Sequence, residues 1–176
     1  MNEINRNTLG IAVVLLAIAM LATPVMAAPT QGQKIPITIY FSNQVAVLVE
    51  EQITGNVIHR VMDVTYDIAV DVDGVPTYTG TAVAARDALL VPRGLGVFDL
   101  VLNDDYVMEF DGFEGTFEGK ATVVLNDYAP AVPTYEAGKA HALLQGTGVF
   151  EGQTINAGHH WIPFGPITWS GYLLKP

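Results

Sequence analysis

The 176-residue chain contains no cysteine. That excludes disulfide staples, thiolate metal sites, thiol catalysis and lipid attachment at a cysteine, so a folded domain here is held by its apolar core alone. Basic residues are scarce, 8 Lys and Arg against 18 Asp and Glu, for a formal net charge of −10. Charge of that sign repels phosphate backbones and anionic headgroups, which argues against nucleic acid as a partner. No window supports a long amphipathic helix, and only Thr81–Leu90 and Ala137–Leu144 leave room for a short one. A serine nucleophile elbow, a phosphate loop and a dinucleotide-binding glycine fingerprint are also missing. What is plentiful is apolar residues, 50% of the chain, enough to exclude disorder.

The N-terminus has the order of an export signal. Met1–Thr8 is short and polar, with Arg6 offset by Glu3; Leu9–Ala22 is an unbroken apolar or small-residue run; Thr23-Pro24 ends it; and Val25-Met26-Ala27 carries small residues where a signal peptidase reads. The run is shorter than the roughly 20 residues of a bilayer span. The expectation is cleavage after Ala27 and a mature domain over 28–176, with no membrane span after cleavage; the alternative is an uncleaved anchor continuing to Ala28. Localisation is then secreted or cell-surface.

The remainder reads as strands. Ile35, Ile37, Ile39 and Phe41 alternate with Pro36, Thr38 and Tyr40, and Pro36 suggests a strand start or a sheet edge. Val57–Val72 is the clearest element. Ile58, Met62, Val64, Tyr66, Ile68, Val70 and Val72 share one face, interrupted by Arg60, while His59, Asp63, Thr65, Asp67 and Asp71 share the other. Asp73-Gly74 is a hairpin signal. Further strands are expected at Val45–Val49, Val75–Thr79, Thr81–Val91, Val97–Leu102, Tyr106–Phe110, Phe113–Phe117, Lys120–Leu125, His141–Leu144, Thr147–Phe150, Thr154–Asn156 and Ile167–Leu174. Turns are expected at Pro92-Arg93-Gly94 and Asn103-Asp104-Asp105, and a loop over Asn126–Gly138. Short strands punctuated by Gly and Pro define an all-β domain, a single antiparallel barrel of about eight strands, with a sandwich as the alternative.

Two segments share the pattern G-x-F-E-G, Gly115–Gly119 and Gly148–Gly152, which suggests two equivalent strand bends in one barrel. The run Gly146-Thr147-Gly148-Val149-Phe150-Glu151-Gly152 resembles the G-x-G-x-F-x-G strand of the allene oxide cyclase-like barrels, a group that also resembles the dirigent proteins. Gly112–Gly119 is similar to the preceding strand of that pattern, and the resemblance covers about residues 97–174. It implies an eight-stranded barrel of calycin type with an apolar cavity. No catalytic residue of those families maps onto a position here.

The candidate ligand-binding residues are Arg60, His141, His159, Trp161 and Trp169. Arg60 interrupts the apolar face of the strongest strand, so it either lines a cavity or sits at an exposed strand end. His159-His160 adjoins Trp161, and His59 and His141 could join them only if the fold converges; a metal site needs three or four converging ligands, and none is assigned. Trp161, Phe164, Trp169 and Tyr172 would rim a ligand mouth or plug a barrel end. Asp71-x-Asp73-Gly74 lacks the distal ligands of a calcium loop. Glu114, Glu118 and Glu151, with Asp63 and Asp67, read as solvated outer faces. No catalytic residue and no cofactor is assigned. The expected function is a secreted or envelope barrel without a catalytic site that binds a small apolar ligand. The alternatives are a surface subunit assembling by β-strand exchange through the Ile35–Phe41 edge, and an isomerase or cyclase of the resembled family. Oligomeric state stays open.

Overall fold

Alternation of apolar and polar residues persists along the chain, and the fold follows from it. The computed structural model describes residues 32–129, 134–160 and 167–176. The strands are β1 (Gln33–Thr54), β2 (Val57–Val72), β3 (Val75–Gly94), β4 (Val97–Phe110), β5 (Thr116–Ala129), β6 (Thr134–Gly146), β7 (Thr154–His160) and β8 (Ile167–Lys175). Each pairs antiparallel with the next, and β8 returns to β1, so the sheet closes into a barrel. Ile37–Phe41 pairs with β2 on one side and β8 on the other, and Ile35 and Pro36 pair with β8. Of the two readings of Pro36, the strand start holds, since β1 begins at Gln33, and the sheet edge does not hold for Ile37–Phe41.

The strands are longer than their sequence signals. Asn103-Asp104-Asp105 is not a turn but the middle of β4, and Glu118-Gly119 lies within β5. Asn126–Ala129 extends β5, and Thr134–Gly138 opens β6. The chain reverses after β3 at Leu95–Gly96, both left-handed (φ 53° and 78°), rather than at Pro92–Gly94. Thr147–Phe150 is not a strand; Gly148–Phe150 forms a 3-10 turn.

The parity of β2 is the one read from sequence. Val64, Tyr66, Ile68 and Val70 are buried, while Asp63, Thr65 and Asp67 are exposed. The outer wall carries Asn103, Asp105 and Glu109 on β4 and Glu118, Lys120 and Thr122 on β5, all exposed. A membrane-spanning barrel has the reverse pattern, apolar outside and polar inside. No helix among the described residues is long and apolar enough to cross a membrane.

One barrel end carries the β2–β3, β4–β5 and β6–β7 connections. It is plugged by aromatic rings, with Phe150 of the 3-10 turn 4.9 Å from Phe117 and 5.6 Å from Phe110, centroid to centroid. Here the two G-x-F-E-G segments meet instead of occupying equivalent bends. Val149 N–H donates to the Glu114 carbonyl (2.9 Å) and Thr147 N–H to that of Thr116 (2.8 Å). Gly115 has no side chain because the Thr147 carbonyl occupies that space.

Candidate functional site

The interior holds two apolar clusters. One fills the plugged end and middle, around Ile39, Phe41, Val64, Tyr66, Tyr106, Met108, Leu144 and Trp169. The other, Ala88, Leu90, Leu100, Leu102, Val123 and Leu125, lies toward the β3–β4 and β5–β6 hairpins. Between them on β3 and β4 lies a charged layer. Arg86 and Asp104 are directly opposed in the β3–β4 ladder, and both point inward because they share parity with Ala84, Ala88, Leu102 and Tyr106.

The pair is a two-pronged ion pair. Arg86 Nε donates to Asp104 Oδ1 at 2.9 Å and Nη2 to Oδ2 at 2.7 Å, and Nη2 also donates to the Tyr66 hydroxyl at 3.0 Å. Asp104 is 2% exposed, a buried charged residue in an otherwise apolar set among the described residues. Burial acts to lower the Arg86 pKa, but the Asp104 carboxylate and nearby Tyr66 outweigh it and hold it above the ordinary value. Arg86 is thus a permanent cation. Burial, then Tyr66 and Asp104, push the Tyr106 phenol well above its usual value, so Tyr106 stays neutral. Tyr106 links this layer to Trp169, whose ring centroid is 4.9 Å away, and Trp169 lies 4.8 Å from Phe41.

Opposite the ion pair the wall is made of small residues. The ladder runs Asp104 to Ala121, Ala121 to Ala142, Ala142 to Ala157 and Ala157 to Gly171, across five strands. Ala121, Val123, Ala140, His141, Ala142, Ala157 and Trp169 line a narrow, partly open crevice with no room for a water molecule. Alanines beside a large indole leave a gap that no longer side chain fills. Chemically, the arrangement sets this narrow apolar crevice beside a neutralised ion pair through Ala121. It provides no nucleophile and no paired free carboxylates. Among the described residues no group of three His, Asp or Glu converges as a metal site.

The residues singled out from sequence are dispersed. Arg60 occupies the exposed hairpin end of β2, where Nε donates to Glu51 Oε2 at 2.6 Å. Both side chains are about a third or more exposed, so Arg60→Ala is expected to change stability by less than about 1 kcal/mol in a denaturant melt. His141 is exposed on the outer wall, its Nε2 3.1 Å from Asn156 Oδ1. His59 is likewise outside, 2.7 Å from Asp87 Oδ1. Trp169 is buried in the core. His159 lies in register with Trp169 on β8, and Trp161 lies outside the described residues. The Asp73-Gly74 segment is a left-handed hairpin turn (φ 53° and 76°). Of the expected binding residues, then, Trp169 and His141 border the crevice, His141 from the exposed outer wall, while Arg86, Asp104, Tyr66 and Tyr106 are the additions. Their signal was present: Asp104 falls on the apolar parity of Leu100, Leu102, Tyr106 and Met108, and Arg86 on that of Ala82, Ala84, Ala88 and Leu90.

No protein-family model, no curated protein and no solved structure matches the chain.

Proposed function

We propose that this chain is an exported barrel protein, of the allene oxide cyclase-like or dirigent-like type it resembles, that binds a small apolar molecule inside the barrel. The observation that carries the reading is the narrow crevice beside Trp169, walled by alanines, one of which, Ala121, pairs with Asp104. The crevice as it stands is too narrow for a ring, so a guest enters only if the alanine wall and Trp169 move apart. The ring-sized ligand would sit against Trp169, and a single polar substituent would be oriented by the Tyr66 and Tyr106 hydroxyls. Eight-stranded closure agrees with the resemblance, whereas the 3-10 turn at Gly148–Phe150 departs from its strand pattern. The Leu9–Ala22 run followed by Val25-Met26-Ala27 supports export.

The test is a titration of the purified protein with benzene and with phenol, followed by tryptophan fluorescence and by the melting temperature. Saturable one-site binding that raises the melting temperature is expected, with phenol the tighter of the two. Ala140→Leu, at a half-buried niche position, should abolish it while the fold is retained. Binding untouched by Ala140→Leu, or no binding by either probe, overturns the reading.

A further inference from the structure

β1 pairs with β8 only through Phe41, yet continues to Thr54. Among the described residues nothing pairs with the far side of 42–54, so its backbone N–H and C=O groups form an open edge with respect to them. The same stretch is apolar and uncovered: Val45, Val47, Leu48, Val49 and Ile53 are 53–61% exposed. Glu51 is tied to Arg60 on β2, and Glu50 lies beside it, at one end of the stretch. The other end, Ser42-Asn43-Gln44, is uncharged.

That polarity selects an occupant. If two copies of this edge meet antiparallel about a two-fold axis near Ala46 or Val47, the valines at 45–49 oppose one another. Glu50 and Glu51 of each copy then face the uncharged 41–44 segment of the other. A parallel pairing would set glutamate against glutamate. An exposed apolar edge is a template for a second strand, and a two-fold interface must be self-complementary, which this segment is when antiparallel. Asn43, left-handed at φ 50°, and the register shifts at 42–45 and 48–50 confine the regular segment to Val45–Leu48. That sets a short, specific register. We infer that the protein self-associates through β1, residues 42–54, as an antiparallel dimer with the sheet order β2–β1–β1–β2 across the axis. This is independent of the interior niche, which lies on other strands.

Sedimentation of the protein, expressed as the full chain and recovered as the cell processes it, tests this. A concentration-dependent dimer is expected, strengthened by added salt, because each copy carries a formal charge of −10. Val47→Lys and Val47→Glu each set like charges beside the axis and should weaken the dimer at least about tenfold. Val47 is 58% exposed, so both variants should melt with the parent. Mixing the two variants should restore a dimer, because opposite charges then meet across the axis; a general loss of apolar surface would not be rescued this way. Val83→Lys, on the exposed outer wall of β3, should leave the dimer intact. A monomer at all concentrations, a dimer indifferent to Val47→Lys, or a monomer that instead floats with phospholipid vesicles overturns the inference.

Discussion

Asp104→Ala is expected to destabilise the domain by about 3–5 kcal/mol, a large share of the roughly 5–15 kcal/mol that holds a typical domain together. The cause is what remains after the change. Arg86 cannot shed its proton, and its partners are the Asp104 carboxylate and the Tyr66 hydroxyl. Without the carboxylate a cation stands in the barrel wall with one neutral acceptor. Arg86→Met should be comparably damaging, because it strands a carboxylate that is 2% exposed. The double variant Arg86→Met with Asp104→Leu removes both charges and keeps the volume, so it should return to within about 1 kcal/mol of the parent. Urea melts of the parent, Asp104→Leu, Arg86→Met and the double variant give the coupling directly. If Asp104→Ala costs less than about 1 kcal/mol, water reaches the pair and the layer is not dry. Alkali acts on the same layer. Tyr106 keeps its proton in the folded state beyond the pH at which the unfolded phenol, near 10, loses its own. Its contribution is therefore intact below about pH 10 and is lost as pH rises through the raised folded value.

The double variant also bears on why such a pair is present. Stability alone does not require it, since apolar residues of similar volume serve as well or better. What the pair does, given the geometry, is hold the Tyr66 hydroxyl at a fixed point beside an alanine wall. Under the reading of an interior binding niche, the double variant should stay folded and lose its preference for phenol over benzene.

How far the sequence reveals this layer depends on which feature is asked for. β2 is legible end to end, because Gly55-Asn56 and Asp73-Gly74 bound an alternation that the core preserves from Val64 to Val70. Arg60 and Arg86 pose the same puzzle in sequence, a cation on an apolar face. They separate only when depth along the barrel is known: Arg60 is at the hairpin end with Glu51, Arg86 is at mid-depth with Asp104. Depth is set by how neighbouring strands are staggered, and stagger is a tertiary property. Asn103-Asp104-Asp105 reads as a turn in sequence because three such residues favour one. The alternation from Leu100 to Phe110 runs through it unbroken, and burial along both faces outweighs the local turn preference of three residues. The open edge of β1 is invisible for another reason. Ile35–Phe41 and Val45–Val49 look alike as strands, and only the tertiary pairing of the first with β8 tells them apart.

The echoed glycines separate the two halves of the sequence pattern most sharply. Gly119→Val is expected to cost about 3 kcal/mol or more, and Gly152→Val only about 1–2 kcal/mol, although both end a G-x-F-E-G segment. Gly119 sits inside β5, paired to Tyr106 on one side and Leu144 on the other. A Cβ there would fall onto the Leu143 carbonyl oxygen and lie 3.0 Å from Leu144 Cα. Those are backbone atoms of β6, which cannot withdraw without opening the β5–β6 ladder beneath the plugged end. Gly152 stands in the turn before β7 with φ 79°, and a Cβ there would meet only Pro176 Cγ, at 3.4 Å. The cost at 152 is the left-handed backbone, which a β-branched residue resists and asparagine accepts. Two further variants therefore distinguish the causes. Gly119→Ala should keep most of the penalty, because its Cβ already collides, whereas Gly152→Asn should melt close to the parent. Thermal melts of the four variants decide it. Equal losses at 119 and 152 would mean that the two segments are equivalent bends after all; a Gly119→Ala protein as stable as the parent would mean that β5 and β6 do not approach as closely as the ladder requires.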